Sequence, residues 1–258
     1  MSAGLAFAEY GEQIGRASTA LRANAGTTPL DTPVPTCPDW TVRDLVVHQG
    51  TVYHWASDVL DGVPVAQARP AADAAGAQGR ASADLLGWFD DALVRVLNTL
   101  ATTPADFDGF FFLTGAPNKR LAWARRQAHE TAIHAVDAMA AKLGGVPSAT
   151  QTWLDREFAA DGIDELLTGF APRSRQRLRS DAPLRVGVEC TDIDASWTLA
   201  IGPDPVVTTP GRTGQRVDAT VRGTAVGLYL ALWNRGTDAT CEGADALDLW
   251  HRTMKISF

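Results

Sequence analysis

The sequence predicts an α plus α/β protein, with an all-helical domain at 1–170 and a small α/β domain at 180–258. Three observations predict it. Before residue 170, apolar residues recur in long runs at helical spacing. A basic, proline-bearing stretch, "APRSRQRLRSDAP", then interrupts the pattern and reads as a linker. Beyond it apolar residues alternate with period 2, as in half-buried strands. A chain of 258 residues is long enough to bury a sizeable core as one large or two modest domains.

Each element follows from its own residues. Leu5, Ala8, Ile14, Ala17 and Leu21 place a first helix at 4–24, ended by "NAGTTP". The next segment, "DTPVPTCPD", is too rich in proline to be helical. Thr41 is a candidate N-cap with Asp44 three residues on, so a second helix runs from about 42 to 60 and stops at "DGVP". Trp40, just before that cap, is placed to staple the first turn. Residues 61–80, with their Ala, Gly and Pro, read as a looser region. "SADLLGWFDDALVRVLNTLA" forms a third helix with Leu85, Phe89, Leu93, Val96 and Leu100 on one face. "TTPADFDGFFFLTGAPNKR" is a loop or lid carrying Phe107, Phe110, Phe111 and Phe112. A fourth helix spans about 121–143 and ends at "GG", and a fifth helical stretch covers 150–168. In the tail, Leu184, Val186, Val188 and Cys190 share one strand face, as do Trp197, Leu199 and Ile201, and Val217, Ala219 and Val221. "TAVGLYLALWNR" and "ALDLWHRTM" read as helices.

Charge and cysteine usage narrow the functional classes. A net charge of −7 without a clustered basic face argues against nucleic-acid binding. No run of eighteen apolar residues is present, and the N-terminus lacks a basic segment followed by an apolar core. Neither a membrane span nor a signal peptide is therefore expected. Cys37, Cys190 and Cys241 are odd in number, widely spaced and not part of a C-x-x-C. That suits a reducing cytoplasm better than a disulfide framework. Cys37 reads as a small buried hydrophobe. A cytoplasmic monomer or homodimer, with no membrane or nucleic-acid partner, is the expectation.

One stretch breaks the apolar pattern. "RRQAHETAIHAVDAM" carries His129, Glu130 and His134 inside the fourth helix. Glu130 and His134 are four apart and share a face, whereas His129 lies about 100° from Glu130 and about 140° from His134. Glu130 and His134 are thus the useful pair. A third ligand should come from another helix, and His48, inside the apolar run "DLVVHQG", is the best candidate. Asp44 shares its face; His54 does not, and His251 belongs to the tail. A His–Glu–His set leaves a coordination position open, as in catalytic rather than structural zinc sites, although nickel or ferrous iron accepts the same donors. Against this stands the ordinary reading: a Glu with a cation four residues later also stabilises a helix face, and a mid-helix His is often a packing residue.

"CPDWTVRDLVVHQG" followed by "RRQAHETAIHAVDAM" resembles the mycothiol-dependent maleylpyruvate isomerase family of actinobacteria, members of the DinB-like metal-binding four-helix proteins. The resemblance rests on Trp40, Thr41, Asp44, Leu45 and His48, then on Glu130, His134 and Asp137, and extends to the tail, "VRGTAVGLYLALWNRGTDATCEGADALDLW". It implies a DinB-like four-helix bundle with a small C-terminal α/β domain. It implies His48, Glu130 and His134 as ligands of a divalent metal, usually zinc, and mycothiol as thiol cosubstrate. The implied reaction is thiolate addition to a small unsaturated or electrophilic acid, giving a cis-trans isomerase or a thiol S-transferase.

An anionic substrate needs a cation, and Arg126, Arg222 and Arg235 are the candidates for catalytic contact with it. Each also has a plain structural role open to it: a helix-surface partner for Arg126, a solvated strand-end charge for Arg222, a helix C-terminal charge for Arg235. A metal-dependent hydrolase or lyase, or a non-enzymatic module binding a small ligand, would use the same scaffold.

Overall fold

The computed structural model describes residues 4–113, 116–173 and 177–255. Parts of the expected lid (114–115) and of the basic linker (174–176) lie outside the described residues. The contacts divide the described residues into two compact units, one within Ala6–Pro147 and one from Ser148 onward that also takes in Gly4 and Leu5.

The first unit is helical: α1 (Phe7–Ala25), α2 (Val42–Leu60), α3 (Val65–Ala81), α4 (Leu85–Thr102) and α5 (Lys119–Leu143). A small hairpin, β1 (Pro33–Val34) with β2 (Cys37–Thr41), precedes α2. α1 packs along α5, while α2 packs on α3, α4 and α5. Ile14, Leu21, Leu45, Phe89 and Val96 fill the space between them. The start of α2 is fixed chemically. Thr41 Oγ1 accepts the Asp44 N–H at 3.3 Å and Asp44 Oδ2 accepts the Thr41 N–H at 2.8 Å. At the start of α5, Asn118 Oδ1 accepts the Leu121 N–H at 2.9 Å; its end is Gly144, at φ 68° in the left-handed region.

The region 61–80 is not loose, because α3 occupies most of it. Its alanines favour the helix, but its buried face consists only of Ala68, Ala72, Gly76 and Gly79, too small to give an apolar period. Smallness has a purpose here. Trp88 of α4 is seated against α2 and α3, and a Cβ at Gly50 would come within 2.2 Å of its indole, one at Gly79 within 2.6 Å. The phenylalanine segment between α4 and α5 packs inward in part: Phe111 and Phe112 lie 5.3 Å and 5.9 Å from Trp123, while Phe110 is exposed.

The second unit is built on a five-stranded sheet in the order β5-β4-β3-β6-β7. Its strands are β3 (Leu184–Cys190), β4 (Ser196–Ile201), β5 (Val207–Pro210), β6 (Ala219–Gly223) and β7 (Thr240–Gly243). β3 and β6 pair in parallel and the other neighbours are antiparallel. Val186, Val188, Trp197, Leu199, Ile201 and Val221 are buried, as the alternation predicts. The edge strands β5 and β7 are short and largely exposed, so they carry no period to read. The helices are α6 (Arg156–Asp164), continued by a π-helical turn at Glu165–Phe170, α7 (Ala225–Leu232) and α8 (Ala246–Thr253).

The stretch 150–168, read from sequence as the last part of the helical domain, makes its contacts in this second unit. α6 packs on α7, the π-helical turn on β5, and Trp197 Nε1 of β4 donates to Asp164 Oδ1 at 2.9 Å. Among the described residues, no helix is long and apolar enough to cross a membrane.

Candidate metal centre

Helix α5 carries Arg126, Glu130 and His134 at successive intervals of four, with Asp137 three residues further. This spacing lines them along one face. That face is buried: side-chain exposure is 2% for Arg126, 4% for Glu130, 7% for His134 and 0% for Asp137. α2 supplies His48, more open at 21%. Glu130 Oε1 lies 3.3 Å from His48 Nε2 and 3.3 Å from His134 Nε2, and one donor atom from each of the three residues falls within 4.8 Å of the others. Donors about 2.1 Å from a tetrahedral cation sit about 3.4 Å apart. The two spacings from Glu130 match such an ion, and two imidazoles with one carboxylate are a donor set that zinc accepts.

The surroundings set the protonation states. Burial alone would raise the Glu130 pKa, but hydrogen bonds to His134 and His48 and the charges of His134 and Arg126 hold it well below the usual carboxylate range. Burial would likewise lower His134; hydrogen bonds to Asp137 and Glu130 outweigh it and lift the ring to about 9. His48 is pushed down, mainly by burial, with Glu130 opposing. Without a cation, the proton on His134 is thus held between two carboxylates. A metal ion placed there takes over the proton's electrostatic role.

Asp137 determines which ring nitrogen is available. His134 Nδ1 donates to Asp137 Oδ2 at 2.9 Å, which leaves Nε2 turned to Glu130. The same carboxylate accepts from Thr36 Oγ1 at 2.5 Å and from Cys37 Sγ at 3.4 Å. Cys37 is consequently not the buried hydrophobe the sequence suggests: it is half-buried and helps tie the β1–β2 hairpin to α5.

Trp40, just before the cap of α2, lies against the histidines. Its ring centroid is 4.6 Å from that of His48 and stacked 5.7 Å from that of His134. Sequence reasoning missed this role because the hairpin that carries Trp40 has no readable period. Other expectations resolve one by one. Asp44 caps α2 and pairs with Arg80 at 2.6 Å rather than neighbouring the site. His54 meets Arg95 and Trp88, His251 Nε2 lies 3.2 Å from the Ala231 carbonyl, and His129 is not in the donor cluster. Arg126 is buried with Nη2 3.3 Å from Glu130 Oε2. Arg222 and Arg235 belong to the sheet unit. Arg222 bonds Glu189 and Glu242, and Arg235 Nη1 donates to the Trp233 carbonyl.

Comparison with known proteins adds to this geometry. Residues 12–139 match the family profile described as the mycothiol maleylpyruvate isomerase N-terminal domain, and residues 157–252 match the C-terminal domain of the same family. Among solved structures, a crystal structure of the mycothiol-dependent maleylpyruvate isomerase superimposes with a TM-score of 0.63 at 14% identity, over 92% of this chain and 93% of that one. A histidine-to-alanine mutant of the mycothiol-dependent maleylpyruvate isomerase gives 0.64 at 13% identity over the same shares. At such identity the likeness shows the fold. No curated protein matches the chain in sequence.

Proposed function

This chain belongs to the mycothiol maleylpyruvate isomerase family, and from that premise we infer that it is a metal-dependent, mycothiol-using isomerase or S-transferase acting on a small unsaturated acid. The observation that carries this reading is the meeting of His48 Nε2, His134 Nε2 and Glu130 Oε1, with His134 held in one tautomer by Asp137. His48, Glu130 and His134 would hold a divalent cation, zinc by the choice of donors. When bound, such an ion supplies a Lewis acid that keeps a thiol ionised at neutral pH.

The chain's own groups do the rest. Glu130 contributes the single negative charge of the donor set, and burial of Glu130 and His134 keeps water from competing for them. Asp137 holds the proton on Nδ1 of His134, so Nε2 is the nitrogen that becomes a lone-pair donor once its own proton is displaced. Trp40 walls one side of the two imidazoles with an apolar face. In the proposed reaction a thiolate would add to the conjugated C=C and push the electron pair into the neighbouring carbonyl as an enolate; after rotation about the new single bond, collapse of the enolate would expel the thiolate and leave the trans acid. Protonation of the enolate carbon before that collapse would leave the S-adduct instead.

The substrate's carboxylates need a cation, and the Arg126 guanidinium on this helix is already turned to Glu130.

The deciding experiment pairs elemental analysis of purified protein with a screen of cis-configured conjugated acids, with and without mycothiol. About one divalent ion per chain and thiol-dependent isomerisation are expected. Turnover that needs the metal but no thiol would select a hydrolase or lyase. Ligand binding without metal would reduce the chain to a binding module.

A further inference from the structure

The two oxygens of Glu130 are used for different things. Oε1 faces His48 Nε2 and His134 Nε2, each at 3.3 Å, whereas Oε2 faces the guanidinium of Arg126, also at 3.3 Å. Arg126 is 2% exposed and so has almost no surface to offer a substrate arriving from solvent. It lies one helical turn before Glu130, on the same stripe of α5, a placement set by backbone geometry rather than by a flexible loop.

A carboxylate can bind a cation through one oxygen or both. With both, it fills an additional coordination position. That position is the one an incoming thiol needs, since three protein ligands leave one vacancy in a four-coordinate site. A guanidinium hydrogen-bonded to Oε2 occupies that oxygen's lone pair and opposes its rotation toward the ion. Its positive charge also makes it a poor neighbour for a cation, so it earns no place there as a ligand-site residue except through Glu130.

We propose that Arg126 is a positioning residue that keeps Glu130 a one-oxygen ligand and thereby keeps the coordination position for the thiol open. This rests on the cation-binding reading of the site. The residue acts through Glu130 and does not touch the reactants.

The test uses cobalt(II) loaded into the full chain, with 2-mercaptoethanol as the probe thiol. Visible absorption reports the coordination number, and a sulfur-to-cobalt charge-transfer band reports thiol binding. Wild type should give the intense absorption of a four-coordinate ion and take up the thiol. Arg126→Gln, which removes the positive charge and shortens the reach toward Oε2, should show the weaker absorption of a higher-coordinate ion. It should need about tenfold more thiol to reach half-saturation, the order of effect seen for partners of metal ligands. Arg126→Lys, whose ammonium can also hold Oε2, should restore the four-coordinate spectrum and the thiol affinity together. Should the Gln variant fail to fold, a Lys variant with a four-coordinate spectrum but clearly weakened thiol uptake overturns the proposal, because coordination number and thiol binding would then be uncoupled. Wild-type spectrum and thiol affinity in Arg126→Gln overturn it as well, with the metal site itself intact. If wild type binds no cobalt, the metal-site reading fails first and this inference falls with it.

Discussion

Helices α5 and α7 are both buried over nearly their whole circumference, yet their sequences have little in common. α7 reads AVGLYLAL, and Leu228, Tyr229, Leu230, Ala231 and Leu232 are all buried. This is the composition expected of a helix surrounded by protein on every side. α5 buries Arg126, Gln127, His129, Glu130, Thr131, His134 and Asp137 in the same manner. Burying ionisable groups is expensive unless they are paired, and here Glu130, His134 and Asp137 pair with one another and with His48. A helix that places charge at interior positions, where Leu and Ala would pack as well, is the candidate place for chemistry. α7 holds its unit together; α5 holds a set of donors in place.

Substitutions can break this contrast, and the largest effect belongs to α5. His134→Ala should lower metal affinity by at least about a hundredfold, since it removes one of three donors. Metal content after gel filtration checks it, and the far-ultraviolet signal should remain helical. Full occupancy in the variant would refute the assignment. Leu228→Ala in α7 should do the reverse: a loss of about 2–5 kcal/mol in denaturant unfolding, with metal content per folded chain unchanged. Asp137→Asn falls between, because it leaves all three donors but frees the His134 tautomer. About 10–100-fold weaker metal binding is expected, measured by competition with a chelating dye.

Titration sharpens the same comparison. In the metal-free protein His134 keeps its proton up to about pH 9, so a cation must displace it. Apparent metal affinity should rise about tenfold per pH unit below 9 and level off above it, with one proton released per ion bound. The stability side has a definite sign. The folded-state pKa is above the ordinary 6.5, so the contribution of the protonated ring to stability is complete below pH 6.5 and lost as pH climbs through 9. The smallest effect lies in the sheet unit. Burial raises the Cys190 thiol to about 12, so it should react with an aromatic disulfide reagent far more slowly than Cys37 or Cys241 at pH 8. Equal rates for the three cysteines would show that its strand opens readily.

Much of this was legible in the residues. Thr41 with Asp44 marks the start of α2, and the four-residue interval of Glu130 and His134 requires a shared face. The strands β3, β4 and β6 announce themselves by alternation, having one face buried. Other parts leave no local trace. α3 hides because glycine and alanine line its buried side, so that a bulky indole from α4 can approach. The position of Trp40 depends on the hairpin, and the bond from Thr36 to Asp137 spans 101 residues of sequence. Arg126 looked like a cation awaiting a substrate because its spacing from Glu130 is the same whether the pair is solvated or enclosed. Only its burial separates those cases.

The stacking of Trp40 on His48 and His134 has a practical consequence. An indole beside a protonated imidazole loses much of its emission, and displacing that proton with an ion alters the loss. With an ion bound there, the protein would carry its own optical gauge of site occupancy. Trp40→Phe would remove that signal and leave the emission of the other tryptophans as the baseline.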